Sequence, residues 1–227
     1  MGKGVPKVPD ADWLQRWREG RTGWHHSEPM PLLIQHWPVL GLPAGSRVLV
    51  PLAGKSLDML WLAQQGFSVL GVELSPLAVK QFFAENHLAA QSQREVDGVH
   101  YSAGDIEMIQ GDIFKVAARV FESCPAVYDR AAIIALPPLL RRRYAHEVYA
   151  KLPADCRGLM ITLEYPQAEM QGPPFSVEAT ELHRLFDAEW KLELLERRDI
   201  LASQPGFREA GVSALATAVH RLQRRAR

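Results

Sequence analysis

Gly54 and Glu73 have the residue types and the spacing of an adenosine-binding site. Gly54 follows an apolar run at residues 48–50, and Glu73 lies near the end of the next such run. An acidic side chain at this spacing can accept hydrogen bonds from both hydroxyls of a ribose, and a glycine bend lets the backbone approach a ligand closely. The alternative interpretation of Glu73 is an acidic residue that simply leaves a strand for solvent.

The triplet Gly54-Lys55-Ser56 raises the question whether the ligand carries a phosphate. A P-loop needs an earlier glycine at position 49, where Leu49 stands, and Pro51 lacks the N–H that a phosphate cradle would donate. NAD would require the G-x-G-x-x-G pattern, whereas this turn has a single glycine. S-adenosylmethionine has no phosphate, so the turn favours it. A nicotinamide-dependent oxidoreductase remains the alternative enzyme class.

Arg130 follows the fourth strand-like run, as Asp112 follows the third, so both residues stand where ligands bind in a parallel sheet. Asp129 is either a partner that orients the guanidinium or a weak base. The pair His25-His26 either approaches the acceptor or lies in an exposed loop.

Strands and helices alternate around these residues. Ser75 can cap a helix that has Pro76 at its first position, and Gly66 ends the helix before it. Strands are predicted at residues 47–50, 67–74, 105–114 and 126–130, and helices at 56–66, 75–88 and 139–152. Such units wind right-handed and produce a parallel sheet with helices on both faces. Ligands bind at the carboxyl ends of strands in a sheet of this kind.

The remaining segments complete the sheet. A fifth strand is predicted at 156–165, then a loop at 171–175, a helix at 176–186, and a closing antiparallel pair at 190–201 and 212–222. The polar segment 93–104 is either a loop or a small hairpin. In the helix at 139–152, Arg141, Arg142 and Arg143 are interpreted as a solvated face. The apolar residues of that helix keep helical spacing and are Leu139, Leu140, Tyr144, Val148 and Tyr149.

Residues 1–9 have the composition of a disordered tail, and a single domain is expected over residues 10–227. Asp10 can cap a helix that places Trp13 and Trp17 on one face. These two indoles either pack against the sheet or cover a ligand.

The charges of the chain cancel, with 26 basic and 26 acidic residues. No overall field then attracts it to nucleic acid or to an anionic membrane, so a small-molecule partner is expected. Cys124 and Cys156 lack metal-binding spacing; they are expected to be buried thiols, and no metal site is predicted. The sequence shows neither a secretory signal pattern nor a run of about 18 apolar residues, which indicates a cytoplasmic protein.

Five segments in series resemble the thiopurine S-methyltransferases, in particular their bacterial branch. They are WLQRWREGRTGWH, RVLVPLAGKSLDMLWLAQQGFSVLGVELS, GDIF, YDRAAIIALPP and GPPFSV, in the family's order and at about its spacing. The match runs from about Trp13 to the C-terminus. Ala53 stands where a cysteine is common, and Trp24 where a phenylalanine is common. Neither departure removes a group that the chemistry requires, and the Trp24 ring is expected to narrow the acceptor pocket.

The resemblance implies an α/β, Rossmann-like class I methyltransferase fold with a seven-stranded, mostly parallel sheet, helices on both faces and an antiparallel last strand. It implies S-adenosylmethionine as methyl donor, the sulfur of thiopurines or related aromatic thiols as acceptor, selenium or tellurium compounds as further acceptors, and a monomer. It assigns to the cofactor Trp17, Leu52, Glu73, Asp112 and Ile113, to the junction of cofactor and acceptor Arg130, and to the acceptor side Trp24. With that acceptor, Arg130 is the candidate catalytic residue, because methyl transfer from a sulfonium needs a soft anionic nucleophile held roughly 3 to 3.5 Å from the methyl carbon, and a permanently charged guanidinium suits that task. An aromatic thiol ionises easily, so little general-base help is required. A non-catalytic S-adenosylmethionine sensor remains the alternative of another class, although the retained Arg130 argues against it.

Overall fold

The structure is a computed structural model that describes the backbone of residues 10–226 and the side chains of residues 13–226. The tail expected over residues 1–9 and the capping expected from the Asp10 side chain lie outside this description. Among the described residues, no helix has both the length and the apolar surface that crossing a membrane requires.

Within residues 10–226, nine strands join one sheet in the order β3-β4-β5-β2-β1-β6-β7-β9-β8. They are β1 (Arg47–Pro51), β2 (Ser68–Glu73), β3 (Gln91–Glu95), β4 (Gly98–Ala103), β5 (Ile106–Gln110), β6 (Ala126–Arg130), β7 (Arg157–Glu164), β8 (Trp190–Asp199) and β9 (Ala216–Arg224). The helices in the same part of the chain are α1 (Asp10–Arg18), α2 (Pro31–His36), α3 (Asp58–Gln64), α4 (Pro76–Glu85), α5 (Ala118–Glu122), α6 (Pro138–Glu147), α7 (Ala179–Phe186) and α8 (Pro205–Glu209).

The strand count corrects the expectation of seven strands. Seven of the nine have the expected arrangement: β5, β2, β1, β6 and β7 are parallel neighbours, and β9 runs antiparallel between β7 and β8. The two additional strands, β3 and β4, form a hairpin that pairs with the edge of β5. Every residue of β3 is exposed, so this strand lacks the apolar alternation that would predict it.

The central strands are buried on both faces, because successive side chains alternate across a sheet. On β1, Leu49 belongs to one core layer, and Val48 and Val50 belong to the other. The first layer contains side chains of α5, α6 and α7, and the second contains side chains of α2, α3 and α4. Helices therefore cover both faces, as expected. Cys124 and Cys156 are buried and unpaired, as the sequence predicts.

Most of the apolar face expected for the segment 139–152 is buried, but Arg141 is buried with it and Leu139 is not. Arg141 is only 2% exposed, whereas Leu139 is 57% exposed. The inward stripe continues from Arg141 to Tyr144 and Val148, which keep the three- and seven-residue spacing of one helix face. The interpretation as a solvated face agrees with the next two arginines, which are exposed, but it is wrong for Arg141.

The helix predicted at 176–186 begins only at Ala179. The residues before it run beside β7, where the Val177 N–H donates to the Leu163 carbonyl over 2.8 Å. Because the Val177 N–H is bonded to strand β7, this segment is extended and the helix begins after it.

The carboxyl ends of β1, β2, β5, β6 and β7 meet at one edge of the sheet, because these strands are parallel. This edge carries the turn after β1, Glu73, the 111–113 segment, Arg130 and the loop that follows β7. The fold thus brings the candidate residues of four distant segments to one side of the molecule.

Candidate active site

The turn after β1 is closed by a hydrogen bond from the backbone of Gly54 to the side chain of Glu73. The Gly54 N–H donates to Glu73 Oε2 over 2.8 Å, and the Ser75 N–H donates to Oε1 over 2.7 Å. Gly54 has a φ of +57°, a backbone conformation that favours glycine. The two residues that the sequence pairs by spacing are therefore in direct contact.

Glu73 is a buried acid that keeps acceptor capacity. The residue is 7% exposed, which contradicts its interpretation as an acidic residue leaving for solvent. Burial raises the pKa of its carboxyl, although the backbone N–H groups of Ser75 and Gly54 act in the opposite direction. Each carboxylate oxygen has two lone-pair sites, and each accepts one backbone hydrogen bond here. The backbone N–H of Leu74 also acts on this carboxylate, so its four lone-pair sites serve three backbone donors.

The turn is not organised as a phosphate cradle. Its glycine N–H is directed at a carboxylate, whose negative charge would repel a phosphate. Lys55 Nζ lies 2.7 Å from Glu85 Oε1 on α4, so its charge is paired. Ser56 Oγ accepts a hydrogen bond from the Asp58 N–H over 3.2 Å. All three groups that a P-loop would direct at a phosphate have partners within the protein.

Two indole rings, those of Trp17 and Trp24, lie beside this turn, and the ring of Trp13 packs against Trp24. The ring centroids of Trp17 and Trp24 are 5.8 Å apart, and those of Trp13 and Trp24 are 5.2 Å apart, both in edge-to-face geometry. A Cβ built on Gly54 would lie 3.3 Å from the Trp17 ring and 3.9 Å from Trp24 Nε1. The structure thus places the indole of Trp17 against the backbone of the candidate turn.

A narrow cleft lies between the turn after β1 and the end of β6. Its lining includes Trp24, His25, Leu52, Asp58, Tyr128 and Arg130. Two lining residues other than glycine have left-handed backbone, Leu52 with a φ of +47° and Ala131 with a φ of +62°. Such conformations concentrate at ligand sites, where the surrounding structure must hold them. The cleft is therefore the candidate active site.

Arg130 contributes an unpaired positive charge to the cleft. Its guanidinium has no hydrogen-bond or ion-pair partner among residues 13–226. Burial lowers the pKa of His26, and the charge of Arg130 lowers it further. Burial and the charge of Lys55 likewise lower the pKa of His25. Both imidazoles are thus biased toward their neutral form, which leaves a cationic guanidinium facing the cleft.

A buried polar pair in the wall of the cleft carries no signal in the sequence. The Tyr128 hydroxyl donates to Asp58 Oδ2 over 3.0 Å, and the Met30 N–H donates to Oδ1 over 2.7 Å. Burial and the Asp58 charge raise the pKa of Tyr128. An acidic residue at the start of a helix is common because it interacts favourably with the helix dipole, so the sequence alone does not indicate that Asp58 belongs to a site. Through these bonds it ties the segment that follows Trp24 to β6.

Asp112 and Ile113 lie at the end of β5, beside the end of β2, and do not line the cleft. The Gly111 N–H donates to the Glu73 carbonyl over 2.9 Å. Asp112 Oδ1 accepts the Phe114 N–H over 3.0 Å, and Ile113 is buried. The fold therefore brings this segment next to Glu73, on the side away from Arg130.

Asp129 does not contact the guanidinium of Arg130. Its carboxylate accepts hydrogen bonds from the hydroxyls of Tyr144 and Tyr149, each over 2.8 Å, and from the Ile133 N–H over 3.1 Å. Burial raises the pKa of this carboxyl. Neighbouring residues of a strand point to opposite faces, so Asp129 points into the core. The interpretation of Asp129 as a partner of Arg130 is therefore wrong, and its position in the core, outside the cleft lining, does not favour the interpretation as a weak base.

One group of potential metal ligands occurs in the described part of the chain, and it lies outside the cleft, at the β3–β4 hairpin. It consists of Glu95, Asp97 and His100. The two ring nitrogens of His100 lie 2.9 Å from Asp97 Oδ1 and 3.0 Å from Glu107 Oε1. Both nitrogens are therefore engaged by carboxylates, which is the arrangement of an ion-pair network.

A family model described as "Thiopurine S-methyltransferase (TPMT)" matches residues 8–225. A curated relative named thiopurine S-methyltransferase, from Xanthomonas axonopodis pv. citri (strain 306), is 61% identical over 213 residues, which cover 94% of this chain and 98% of the relative. A relative of the same name from Bordetella pertussis is 54% identical over 216 residues, which cover 95% of this chain and 99% of the relative.

Solved structures of similar fold are more distant in sequence. The 1,6-didemethyltoxoflavin-N1-methyltransferase of Burkholderia thailandensis, solved with S-adenosylhomocysteine, has a TM-score of 0.61 at 17% identity and covers 95% of this chain and 86% of its own. The phosphoethanolamine N-methyltransferase 2 of Haemonchus contortus, solved with S-adenosyl-L-methionine, has a TM-score of 0.64 at 13% identity and covers 100% of this chain and 62% of its own. The expected Rossmann-like class I methyltransferase fold is confirmed, with two additional strands.

Proposed function

The chain belongs to the thiopurine S-methyltransferase family, and we propose that it transfers a methyl group to the sulfur of thiopurines or related aromatic thiols. It is an S-adenosylmethionine-dependent methyltransferase, and S-adenosylmethionine is its cofactor. The acceptor and the roles of individual residues are the proposal. The observation that carries it is the unpaired guanidinium of Arg130, which faces a cleft whose other wall is the Gly54 turn.

The residues at this edge of the sheet fit S-adenosylmethionine. Glu73 places a carboxylate, which only accepts hydrogen bonds, at the end of β2 beside the Gly54 turn, and such a group suits the hydroxyls of a ribose. Lys55 is paired with Glu85, so the turn offers no free cation to a phosphate. Gly54 leaves beside Trp17 a space that a Cβ would fill. A nucleoside without phosphates matches this combination.

The cofactor residues have distinct roles in this proposal. Glu73 holds the ribose, and the segment of Asp112 and Ile113 borders the adenine, because it lies beside Glu73 at the end of the neighbouring strand. Leu52 contributes backbone contacts from its left-handed position in the turn. Trp17 packs against the cofactor from α1, since its ring already lies on the Gly54 backbone.

Arg130 and Trp24 form the acceptor side in this proposal. The acid of the cleft wall, Asp58, hydrogen-bonds to the Met30 N–H and the Tyr128 hydroxyl and makes no ion pair with Arg130. A thiolate in the cleft would therefore meet a guanidinium that no described residue pairs. The Trp24 ring lines the same cleft and offers a flat apolar surface to an aromatic acceptor.

S-adenosylmethionine supplies, when bound, an electrophilic methyl group on a sulfonium. The protein must then hold a thiolate in line with that methyl group and exclude water. Arg130 stabilises the thiolate form, and the indoles of Trp17 and Trp24 shield the turn from solvent. His25 is biased toward its neutral form and adds little positive charge to that of Arg130. An aromatic thiol ionises readily, so no residue has to act as general base.

The direct test uses S-adenosylmethionine with a labelled methyl group and 6-mercaptopurine. Appearance of the labelled methyl thioether, with an equal amount of S-adenosylhomocysteine, supports the proposal. Binding of S-adenosylmethionine without turnover of any thiol would favour the non-catalytic sensor. Thermal stabilisation by NAD or NADP, but not by S-adenosylhomocysteine, would favour the oxidoreductase.

Selenium and tellurium oxyanions form a second group of acceptors that we propose. Selenite and tellurite are anions, and Arg130 offers the cleft an unpaired positive charge. Each would react through the lone pair of its central atom, so that a carbon–chalcogen bond forms as the carbon–sulfonium bond breaks. The same labelled-methyl assay, run with either oxyanion in place of the thiol, tests this part separately.

We further propose that residues 10–227 act as one catalytic domain, as a monomer in the cytoplasm, on small molecules and not on nucleic acid or a membrane. The cancelling charges of the chain support the choice of partner. The two buried, unpaired cysteines suit a reducing compartment. Light scattering at several protein concentrations tests the monomer.

A further inference from the structure

Helix α6 buries a charged side chain beneath the loop that follows β7. Arg141 is among the largest fully buried side chains of the described residues. Its Nη1 donates to the Ser176 carbonyl over 3.0 Å and lies 3.3 Å from Glu181 Oε2. Its guanidinium carbon lies 5.7 Å from the centroid of the Phe175 ring. One cation therefore joins α6 to the loop at residues 172–176 and to α7.

The 172–176 loop is held by further hydrogen bonds from two other segments. The Tyr165 N–H donates to Ser176 Oγ over 2.9 Å, and the Tyr165 hydroxyl donates to the Pro174 carbonyl over 2.6 Å. The Phe175 N–H donates to the Ile134 carbonyl over 2.7 Å. The loop is thus a preformed wall, fixed between the end of β7, the turn after β6 and Arg141.

The order of the strands puts this loop on the far side of Arg130 from Glu73, although its residues are not among those that line the cleft. Strands β2, β1, β6 and β7 are consecutive neighbours; Glu73 ends β2, Arg130 ends β6, and the loop follows β7. The loop therefore lies beyond Arg130 as seen from Glu73. Its bond to Ile134 attaches it to the turn Ile133–Ala135, which comes directly after the Arg130 segment. A donor held by Glu73 leaves this far side for the acceptor.

We propose that Arg141 is a positioning residue for the acceptor and acts through the 172–176 loop. The inference rests on the proposed function, and it names the surface that recognises the aromatic part of the acceptor. Pro173, Pro174 and Phe175 present a rigid apolar wall, and Arg141 sets the position of that wall. Arg141 is buried beneath the loop and its guanidinium is engaged by Ser176 and Glu181, so the proposal gives it no direct contact with donor or acceptor.

Loss of Arg141 should affect binding of the acceptor and binding of the donor differently. A loop that loses Arg141 has to be ordered when the acceptor binds, and this ordering weakens acceptor binding. The donor keeps its contacts, because Glu73 and the Gly54 turn are on the other side of Arg130. Lysine in place of Arg141 keeps the positive charge but lacks the planar guanidinium. Only the guanidinium can donate to the Ser176 carbonyl while its flat face lies over the Phe175 ring, so lysine should restore the function only in part.

The test compares Arg141→Met and Arg141→Lys with Arg142→Met, a matched control at the exposed arginine next along α6. Amide hydrogen exchange is followed at Phe175 and Ser176, and steady-state kinetics are measured with 6-mercaptopurine and S-adenosylmethionine. In Arg141→Met, exchange at both amides and the KM for 6-mercaptopurine should rise by about tenfold or more, while the Kd for S-adenosylhomocysteine stays within about threefold. Arg141→Lys should be intermediate, and Arg142→Met should match the parent.

Unchanged amide exchange in a folded Arg141→Met variant overturns the inference. An equal loss of acceptor and donor binding also overturns it, because that pattern indicates a general loss of structure. If Arg141→Met does not fold, Arg141→Lys takes its place, and parental exchange with a parental KM in that variant overturns the inference. Absence of thiol methylation by the unaltered protein contradicts the proposed function alone, since the exchange measurement does not depend on turnover.

Discussion

The backbone N–H of Gly54 donates a 2.8 Å hydrogen bond to the carboxylate of Glu73. A P-loop would direct this N–H at a phosphate, but here it is satisfied by an acid of the protein itself. In the proposed function, the acceptor capacity of Glu73 is what holds the ligand at this edge. Donors such as ribose hydroxyls suit a carboxylate, and a phosphate does not.

Replacing Glu73 with glutamine should weaken both S-adenosylhomocysteine binding and stability. The amide NH₂ would face the N–H of Gly54 or of Ser75, and a buried donor without an acceptor costs about 1–3 kcal/mol. Calorimetric titration and thermal unfolding measure the two effects. Glu85→Gln, which removes only the ion pair with Lys55 at the surface, should leave both near the parental values. Parental affinity in Glu73→Gln would contradict the assigned role.

Replacing Gly54 with alanine should strain the turn and displace an indole. The left-handed backbone costs a residue with a Cβ about 1–2 kcal/mol. The new Cβ would lie 3.3 Å from the Trp17 ring, so tryptophan fluorescence should change and S-adenosylhomocysteine should bind more weakly. Gly45→Ala is the matched control, because Gly45 has a φ of +76° but a Cβ there meets nothing within 4 Å. If the two variants bind S-adenosylhomocysteine equally, the crowding at Gly54 has no role in binding.

The parts of the fold that the sequence predicts are those with local signals. Strands β1 and β2 are buried on both faces and read as continuous apolar runs, and Ser75 with Pro76 marks the start of α4. Strand β3 is exposed along its length and carries no such pattern. Burial of Arg141 depends on the Ser176 carbonyl, 35 positions away in the chain, so periodicity alone assigns its face wrongly.

In the candidate site, too, the sequence indicates the residues that are close along the chain and misses the contacts between distant ones. Glu73 is found from its distance to Gly54 along the chain, because both residues belong to one strand-helix-strand unit. The pair of Asp58 and Tyr128 spans 70 positions, and neither residue has a neighbour in sequence that indicates the other. Asp129 is misinterpreted because its partners, the hydroxyls of Tyr144 and Tyr149, come from a later helix and turn.

Asp129→Asn should lower stability and leave the shape of the pH profile of kcat unchanged. The carboxylate accepts three hydrogen bonds in the core, and the amide cannot accept all of them without turning its NH₂ toward a donor. Asp129 does not line the cleft, so its removal should not alter a catalytic ionisation. Loss of one limb of the pH profile in this variant would instead identify Asp129 as a base.

His220 should make stability fall in mild acid. The residue is buried in β9, its Nε2 has no hydrogen-bond partner among the described residues, and burial lowers the pKa of the imidazole from 6.5 to about 4. The unfolded chain then binds the proton more tightly, so this contribution is fully present above pH 6.5 and is lost as the pH falls toward 4. Between pH 4 and pH 6.5, the free energy of unfolding, measured by denaturant titration, should change less steeply with pH in His220→Leu than in the parent.

His100 provides the matched control, because its linkage has the opposite sign. Burial acts to lower the pKa of His100, but its hydrogen bonds to Asp97 and Glu107 outweigh burial and raise it above 6.5. Its contribution is therefore fully present below pH 6.5 and is lost as the pH rises through the raised value. His100→Gln should remove stability on the acid side and leave the His220 slope in place. If the free energy of unfolding of His220→Leu falls as steeply with acidification as that of the parent, His220 is not the residue responsible.

The most direct measurement is kcat/KM for 6-mercaptopurine in Arg130→Ala and Arg130→Lys, made together with the Kd for S-adenosylhomocysteine. If the unpaired guanidinium holds the thiolate, the alanine variant should lose about 10²- to 10³-fold in kcat/KM, as does removal of one donor from a charge-stabilising site. The lysine variant should recover only part of that loss, and the Kd should stay within about threefold in both, because the donor is held at Glu73. Turnover of 6-mercaptopurine at the parental rate by both variants would contradict the account.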